Sequence, residues 1–239
     1  MATKPFTSAV REHHSLLAAV EKRALVAMAA RMPARINSDH LTALSALSML
    51  GAGLSFWLAA SWLPALWLVI VCLGLNWFGD SLDGTLARVR RHERPRYGFY
   101  VDHMLDAAGI LVLMMGLVLG GFSSAVAMMA FLLAYYLLSI EVYLATHVLG
   151  RFHMSFWKIG PTELRILLAV GTLRLFWGAD VTVFGATVPL FDIGAWAGAA
   201  GLLATASVAA VTHTRELYRA EPLPARAGAA GGPIYNLQP

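Results

Sequence analysis

From Leu41 onward the chain runs in long apolar blocks, with polar residues gathered at the ends of each block. The blocks cover roughly 38–61, 64–91, 97–121, 123–149, 160–178 and 189–214. Crossing a hydrocarbon core of about 30 Å takes about 20 helical residues, so each block reads as a membrane-spanning helix. The turns at Ser61 to Pro64 and Gly120 to Ser124 are short and uncharged. Ser38 is placed to cap the first helix, Pro161 to open the fifth and Pro189 to start the sixth.

Positive charge then gives a direction. Lys and Arg fall before the first block (Lys22, Arg23, Arg31, Arg35) and between the second and third (Arg88, Arg90, Arg91, Arg94, Arg96). More lie between the fourth and fifth (Arg151, Lys158) and after the sixth (Arg215, Arg219, Arg226). With six spans all of these lie on one side, which the positive-inside tendency makes cytoplasmic together with both termini. The expected class is an all-α integral membrane protein of six transmembrane helices in residues 38–214. Residues 1–37 precede it, and within them 6–36 alternate apolar and basic positions at helical spacing, as in an amphipathic helix lying in the membrane surface. Residues 215–239 end in a stretch rich in Pro, Gly and Ala, expected to be largely disordered.

Composition agrees. The 239 residues are 58% hydrophobic and 13% charged, with a mean hydropathy of +0.64, against about 45–50% and about 25% for soluble domains. The net charge of +4 is spread over segment ends rather than along one soluble face, which argues against nucleic acid as a partner. The lone Cys72 excludes an intrachain disulfide.

Against this apolar background, four aspartates stand in "DSLDGTLARVRRHERPRYGFYVDHMLD", residues 80–106. Asp80, Asp83, Gly84, Ala87 and Arg88 recur at i, i+3, i+4, i+7 and i+8, one stripe of the second helix. Gly98, Asp102 and Asp106 at i, i+4 and i+8 make one stripe of the third. A short connection makes the two helices antiparallel neighbours, so the stripes can face each other and bring four carboxylates together. Such a group in a low-dielectric site requires compensating charge, and oxygen-only ligands favour one or two hard divalent ions, Mg²⁺, Mn²⁺ or Ca²⁺, over zinc. Small residues on the same stripes leave room for a bulky ligand, and the Arg88 fork suits phosphate. Acids inside a membrane protein are functional by default. A divalent-cation channel or transporter is the alternative reading of the carboxylates, but it leaves Gly84, Ala87 and Arg88 unexplained.

The pattern D-x-x-D-G-x-x-A-R, nine residues, then G-x-x-x-D-x-x-x-D resembles the signature of the CDP-alcohol phosphotransferases, membrane enzymes that make phospholipids by displacing CMP from a CDP-linked donor. The resemblance implies a pair of Mg²⁺ or Mn²⁺ ions held by Asp80, Asp83 and Asp102, with Asp106 a ligand, the base, or both. It implies that Gly84, Ala87 and Arg88 hold the nucleotide, together with Asp80, Asp83 and Gly98. Asn37 and Thr42 resemble the Asn and Thr that open the first helix near the nucleotide in many members. A homodimer is implied as well.

The donor and acceptor stay open. "DHMLD", with His103 between the last two aspartates, and "GPTE" (160–163) resemble the choline and ethanolamine phosphotransferase branch. That branch implies His103 as base, a CDP-aminoalcohol donor and a diacylglycerol acceptor. The short chain is closer to enzymes that take CDP-diacylglycerol and a polar alcohol or its phosphate. For these, Arg165, Arg151 and Lys158 are candidates to bind a phosphorylated acceptor, and Glu163 is a candidate to orient His103 or pair with Arg165.

Overall fold

The computed structural model describes residues 18–150, 161–183 and 185–221, which form a helical bundle with one small hairpin. The helices are α1 (Ala18–Arg31), α2 (Ser38–Ala59), α3 (Leu66–Arg90), α4 (Pro95–Leu119), α5 (Ala125–Leu149), α6 (Pro161–Arg174) and α7 (Leu190–Ala220). Five of them, α2, α3, α4, α5 and α7, are long and apolar enough to cross a membrane. The expected span at 160–178 is occupied by α6, of 14 residues, and a 3-10 turn at Leu175–Trp177. At about 1.5 Å per residue α6 alone covers about 21 Å, short of the hydrocarbon core. Residues 1–17 of the N-terminal segment, Arg151, Lys158 and the tail beyond 221 lie outside the described residues.

Two local expectations are corrected. Asn37, not Ser38, caps α2: from an extended backbone its Oδ1 accepts the His40 N–H at 2.9 Å, while His40 Nδ1 accepts the Asn37 N–H at 3.2 Å. Ser38 is already helical and donates its hydroxyl to the Asp83 carbonyl oxygen at 2.9 Å. Between α6 and α7 the chain forms an antiparallel hairpin, β1 (Asp180–Val183) with β2 (Ala186–Pro189), that the all-α expectation omitted. Its β-branched Val and Thr residues suit strands, and Gly185 supplies the positive φ of 84° that the tight turn requires.

Close backbone approach holds α2, α3 and α4 together. A Cβ at Gly79 of α3 would stand 2.5 Å from the Leu41 carbonyl oxygen and 2.8 Å from the Ser45 nitrogen of α2. One at Gly53 of α2 would stand 2.5 Å from the Val112 carbonyl oxygen of α4. Small residues at such crossings are how membrane helices gain packing where lipid offers no hydrophobic drive. The main core lies toward the α2–α3 turn, where Phe56, Leu66, Val69, Leu113 and Leu117 are almost fully buried. A second cluster lies at the other end, where Leu25 and Ala29 of α1 dock on Leu41, Leu82 and Leu86. Lys22, Arg23 and Arg31 of α1 stay exposed.

Polar bonds fix the remaining neighbours. Asp192 at the start of α7 accepts from the Ser123 hydroxyl at 2.5 Å and the Ser124 N–H at 2.7 Å, and Glu141 of α5 meets His213 of α7 at 2.6 Å. Glu21 of α1 accepts from Trp77 Nε1 of α3 and the Thr162 hydroxyl of α6, each at 2.8 Å. One side chain thereby ties three helices.

Candidate active site

α3 and α4 run antiparallel and bring three of the four aspartates together. Asp80, Asp102 and Asp106 each offer a carboxylate oxygen, and these three atoms lie within 4.8 Å of one another. All three residues are half-buried. A metal–oxygen bond of about 2.1–2.4 Å puts ligands on opposite sides of one ion about 4.2–4.8 Å apart, so the three oxygens span no more than one coordination sphere. The donor set is oxygen only, and among the described residues no histidine or cysteine joins it. The residues therefore fit a hard divalent ion of the Mg²⁺ or Mn²⁺ type.

Asp83 stands apart from that trio. Its Oδ2 accepts the Thr42 hydroxyl of α2 at 2.6 Å, and its Oδ1 takes the N–H of Gly84. With Ser38 on its carbonyl oxygen, Asp83 is clamped by the first turns of α2 at both its backbone and its side chain. Thr42 thus touches the acidic motif directly. Asn37 caps the same helix and lines a cavity of about 460 Å³ together with Ala87, Asp39, Arg90 and Arg94. Arg94 pairs with Asp39 and lies over the Tyr97 ring, 4.2 Å from its centre. Arg90 closes the floor of this region by donating to the carbonyl oxygens of Ile36 at 2.5 Å, Met32 at 2.8 Å and Pro33 at 2.9 Å.

The small residues leave open space where the sequence pattern implies it. A Cβ on Gly84 would meet only the tip of the Arg88 side chain, at 3.3 Å, and one on Gly98 would meet nothing within 4 Å. Ala87 is half-buried, and Arg88 is exposed with its Nη2 donating to the Thr85 hydroxyl at 3.1 Å.

His103 is adjacent to Asp102 in sequence but turned into an aromatic shelf. Its ring lies 4.1 Å from that of Phe99 and 5.0 Å from that of Tyr143, and it is 7% exposed. Nδ1 is 2.7 Å from the Phe99 carbonyl oxygen, a contact in which the ring nitrogen donates, and 3.9 Å from Asp102 Oδ2. Glu163 is half-buried in the first turn of α6. Arg165, on the same helix, reaches into the acidic group: Nη2 donates to Asp80 Oδ2 at 2.6 Å and Nε to Asn76 Oδ1 at 2.7 Å.

Reading the sequence missed several contributors. Asn76, one turn before Asp80, was hidden inside an apolar block, and its side-chain nitrogen donates to the Ser45 hydroxyl at 2.7 Å and carbonyl oxygen at 3.2 Å. Its i−4 spacing from Asp80 was the available signal. Gly79 and Glu21 gave no local signal, because each acts on a partner distant in sequence.

A comparison with curated proteins found no match. The sequence does match the CDP-alcohol phosphatidyltransferase profile over residues 38–212, well over half its length. That match spans α2 to α7 and includes every carboxylate of the site, and the family's function replaces the ion-path reading of those acids. The family uses divalent metal ions, which agrees with the oxygen-only trio. The chain belongs to the CDP-alcohol phosphatidyltransferase family, transferases of phospholipid synthesis that act on CDP-linked donors in membranes.

Proposed function

We propose that the protein moves a substituted phosphate from a CDP-linked donor, CDP-diacylglycerol or a CDP-aminoalcohol, to an alcohol acceptor and releases CMP. The observation that carries the reading is the convergence of Asp80, Asp102 and Asp106 from two helices beside open space at Gly84 and Gly98. Asp80, Asp83, Asp102 and Asp106 would hold one or two Mg²⁺ or Mn²⁺ ions, which when bound neutralise the diphosphate and stabilise the departing CMP. Gly84, Ala87, Arg88 and Gly98, with Asn37 and Thr42 at the start of α2, would hold the nucleotide; of these, Asn37 and Ala87 line the cavity described above. Thr42 acts through Asp83, whose carboxylate it fixes.

In the transfer the acceptor oxygen attacks the phosphorus nearer the donor's alcohol. The bond from that phosphorus to the CMP oxygen breaks, CMP leaves with the electron pair, and the acceptor's proton passes to a base. Asp106 is favoured as that base because its carboxylate belongs to the trio, whereas the His103 ring is buried against Phe99 and Tyr143. Glu163 and Arg165 open α6 beside the same group, and Arg165, with Arg151 and Lys158, would receive a phosphorylated acceptor. The positive charge at this end supports a cytoplasmic site in a six-span chain, with α6 and its following turn as the fifth crossing and α1 lying in the interface. A homodimer completes the reading.

Purified protein incubated with CDP-diacylglycerol or CDP-choline, a panel of alcohols and Mn²⁺ should release CMP only with the metal present. Asp106→Asn should abolish release and His103→Ala should leave it measurable. Loss in His103→Ala with survival in Asp106→Asn would reverse the base assignment, and normal release in both Asp83→Asn and Asp106→Asn would overturn the site.

A further inference from the structure

The contact between Arg165 and Asp80 crosses from α6 to α3 and puts a fixed cation on one of the three clustered carboxylates. Both side chains are mostly buried, at 16% and 21% exposure. A guanidinium at 2.6 Å in such a place neutralises much of the charge that a divalent ion would otherwise neutralise. Its posture is set by a second bond. Asn76 gives its amide oxygen to Arg165 Nε, and Asn76 is itself 3% exposed and anchored through its nitrogen to Ser45 of α2. A relay Ser45–Asn76–Arg165–Asp80 therefore joins α2, α3 and α6. A rigid planar fork bound at Nε has few orientations open to it, and the one observed points Nη2 at Asp80.

We propose that Arg165 is the resident counter-ion of the aspartate cluster, held there by Asn76 as a positioning residue, and that a divalent cation binds by displacing the guanidinium from Asp80. The proposal rests on the metal-dependent transferase reading. Displacement leaves an uncompensated guanidinium beside the new ion, where its N–H groups suit an anionic substrate oxygen. Cation binding thus creates the anion site, and metal binds before the phosphorylated ligand.

The test is a thermal-shift titration of the full chain in detergent with Mn²⁺ alone, which needs no substrate and no turnover. Arg165→Gln removes the competing charge; its metal-free form should melt lower than the wild type, and its midpoint should come at about tenfold lower Mn²⁺. Arg165→Lys keeps the charge and should stay within about threefold of the wild-type midpoint. Asn76→Leu, which loosens the fork, should shift the midpoint in the direction of Arg165→Gln by about threefold, and should add nothing in an Arg165→Gln background. A merely structural role for either residue would lower the melting temperature at every Mn²⁺ concentration without moving the midpoint, and that result overturns the proposal. An unchanged or weakened midpoint in Arg165→Gln overturns it as well. Should that variant not fold, Asn76→Leu decides, with an unchanged or raised midpoint as the contrary result. Absence of any Mn²⁺ response in the wild type would instead overturn the metal reading beneath it.

Discussion

Gly84→Ala separates the roles of two glycines that stand five residues apart on α3. At Gly84 the added methyl would meet only Arg88 Nη1, at 3.3 Å, the far end of an exposed and flexible side chain. Nothing in the fold resists it, and replacing a mid-helix glycine by alanine stabilises a helix by about 0.5–1 kcal/mol. The variant should therefore melt at or slightly above the wild-type temperature. If the open space beside Gly84 receives the nucleotide, the same methyl occupies it, and kcat/KM for CMP release should fall by about tenfold or more, equivalent to about 1.4 kcal/mol of lost binding. Gly79→Ala is the control. Its methyl would stand 2.5–3.0 Å from the Leu41 carbonyl oxygen and from Ser45, where no flexible side chain can yield, so α2 and α3 must separate. Overpacking of that kind costs about 1–3 kcal/mol, and melting temperature and activity should fall together. Activity of Gly84→Ala within twofold of the wild type, at unchanged stability, would refute the placement of the nucleotide.

Two further outcomes follow from bonds that cross between helices. Thr42→Val removes the hydroxyl held 2.6 Å from Asp83, a bond to a charged group of about 1.5–3 kcal/mol, and should lower kcat/KM by about tenfold or more while the protein stays folded; steady-state CMP release checks it. Glu21→Ala breaks the bonds to both Trp77 and Thr162 and should destabilise the protein by about 1–3 kcal/mol, while Glu21→Gln, which keeps an acceptor oxygen, should retain most of that; paired melting curves decide.

The membrane character, the long helices and the two acidic stripes were legible because each rests on periodicity within one segment. Asp80 and Asp83 share one face of α3 and Asp102 and Asp106 share one face of α4, but the expected direct packing of the two helices is replaced by α2, which packs on both, so the stripes meet only where the acids converge. Chain periodicity does not say which carboxylate a third helix will claim. Thr42 draws Asp83 toward α2, so the structure gathers a trio and a separately clamped fourth rather than one group of four. From sequence alone Arg165 is a candidate to receive substrate phosphate, since a charge inside an apolar helix invites a ligand. Its partner in the fold lies 85 residues away in sequence, at Asp80, and nothing local in α6 announces it. The hairpin after α6 was missed because its two four-residue strands are too short to set up a period against the apolar run beside them.

Depth along the two helices explains why a resident cation belongs in this site. At about 1.5 Å per residue, Asp80 lies about 21 Å along α3 from Leu66, and Asp106 about 20 Å back along α4 from Leu119. Asp83 and Asp102 both lie about 26 Å from those ends. Because α3 and α4 are antiparallel with their apolar ends joined in one core, the acids form two levels, a deeper one of Asp80 and Asp106 and a shallower one of Asp83 and Asp102. In a hydrocarbon slab of about 30 Å the deeper pair stands about 10 Å below the charged boundary, where bare carboxylates carry the greater desolvation cost. The shallower Asp83 is satisfied by a neutral hydroxyl and a backbone N–H, whereas the deeper Asp80 takes a full guanidinium. The guanidinium of the cluster sits at the deeper level, on Asp80. There it offsets the charge of Asp80 where desolvation costs most, and under the displacement proposed above it is the group that an entering cation must move.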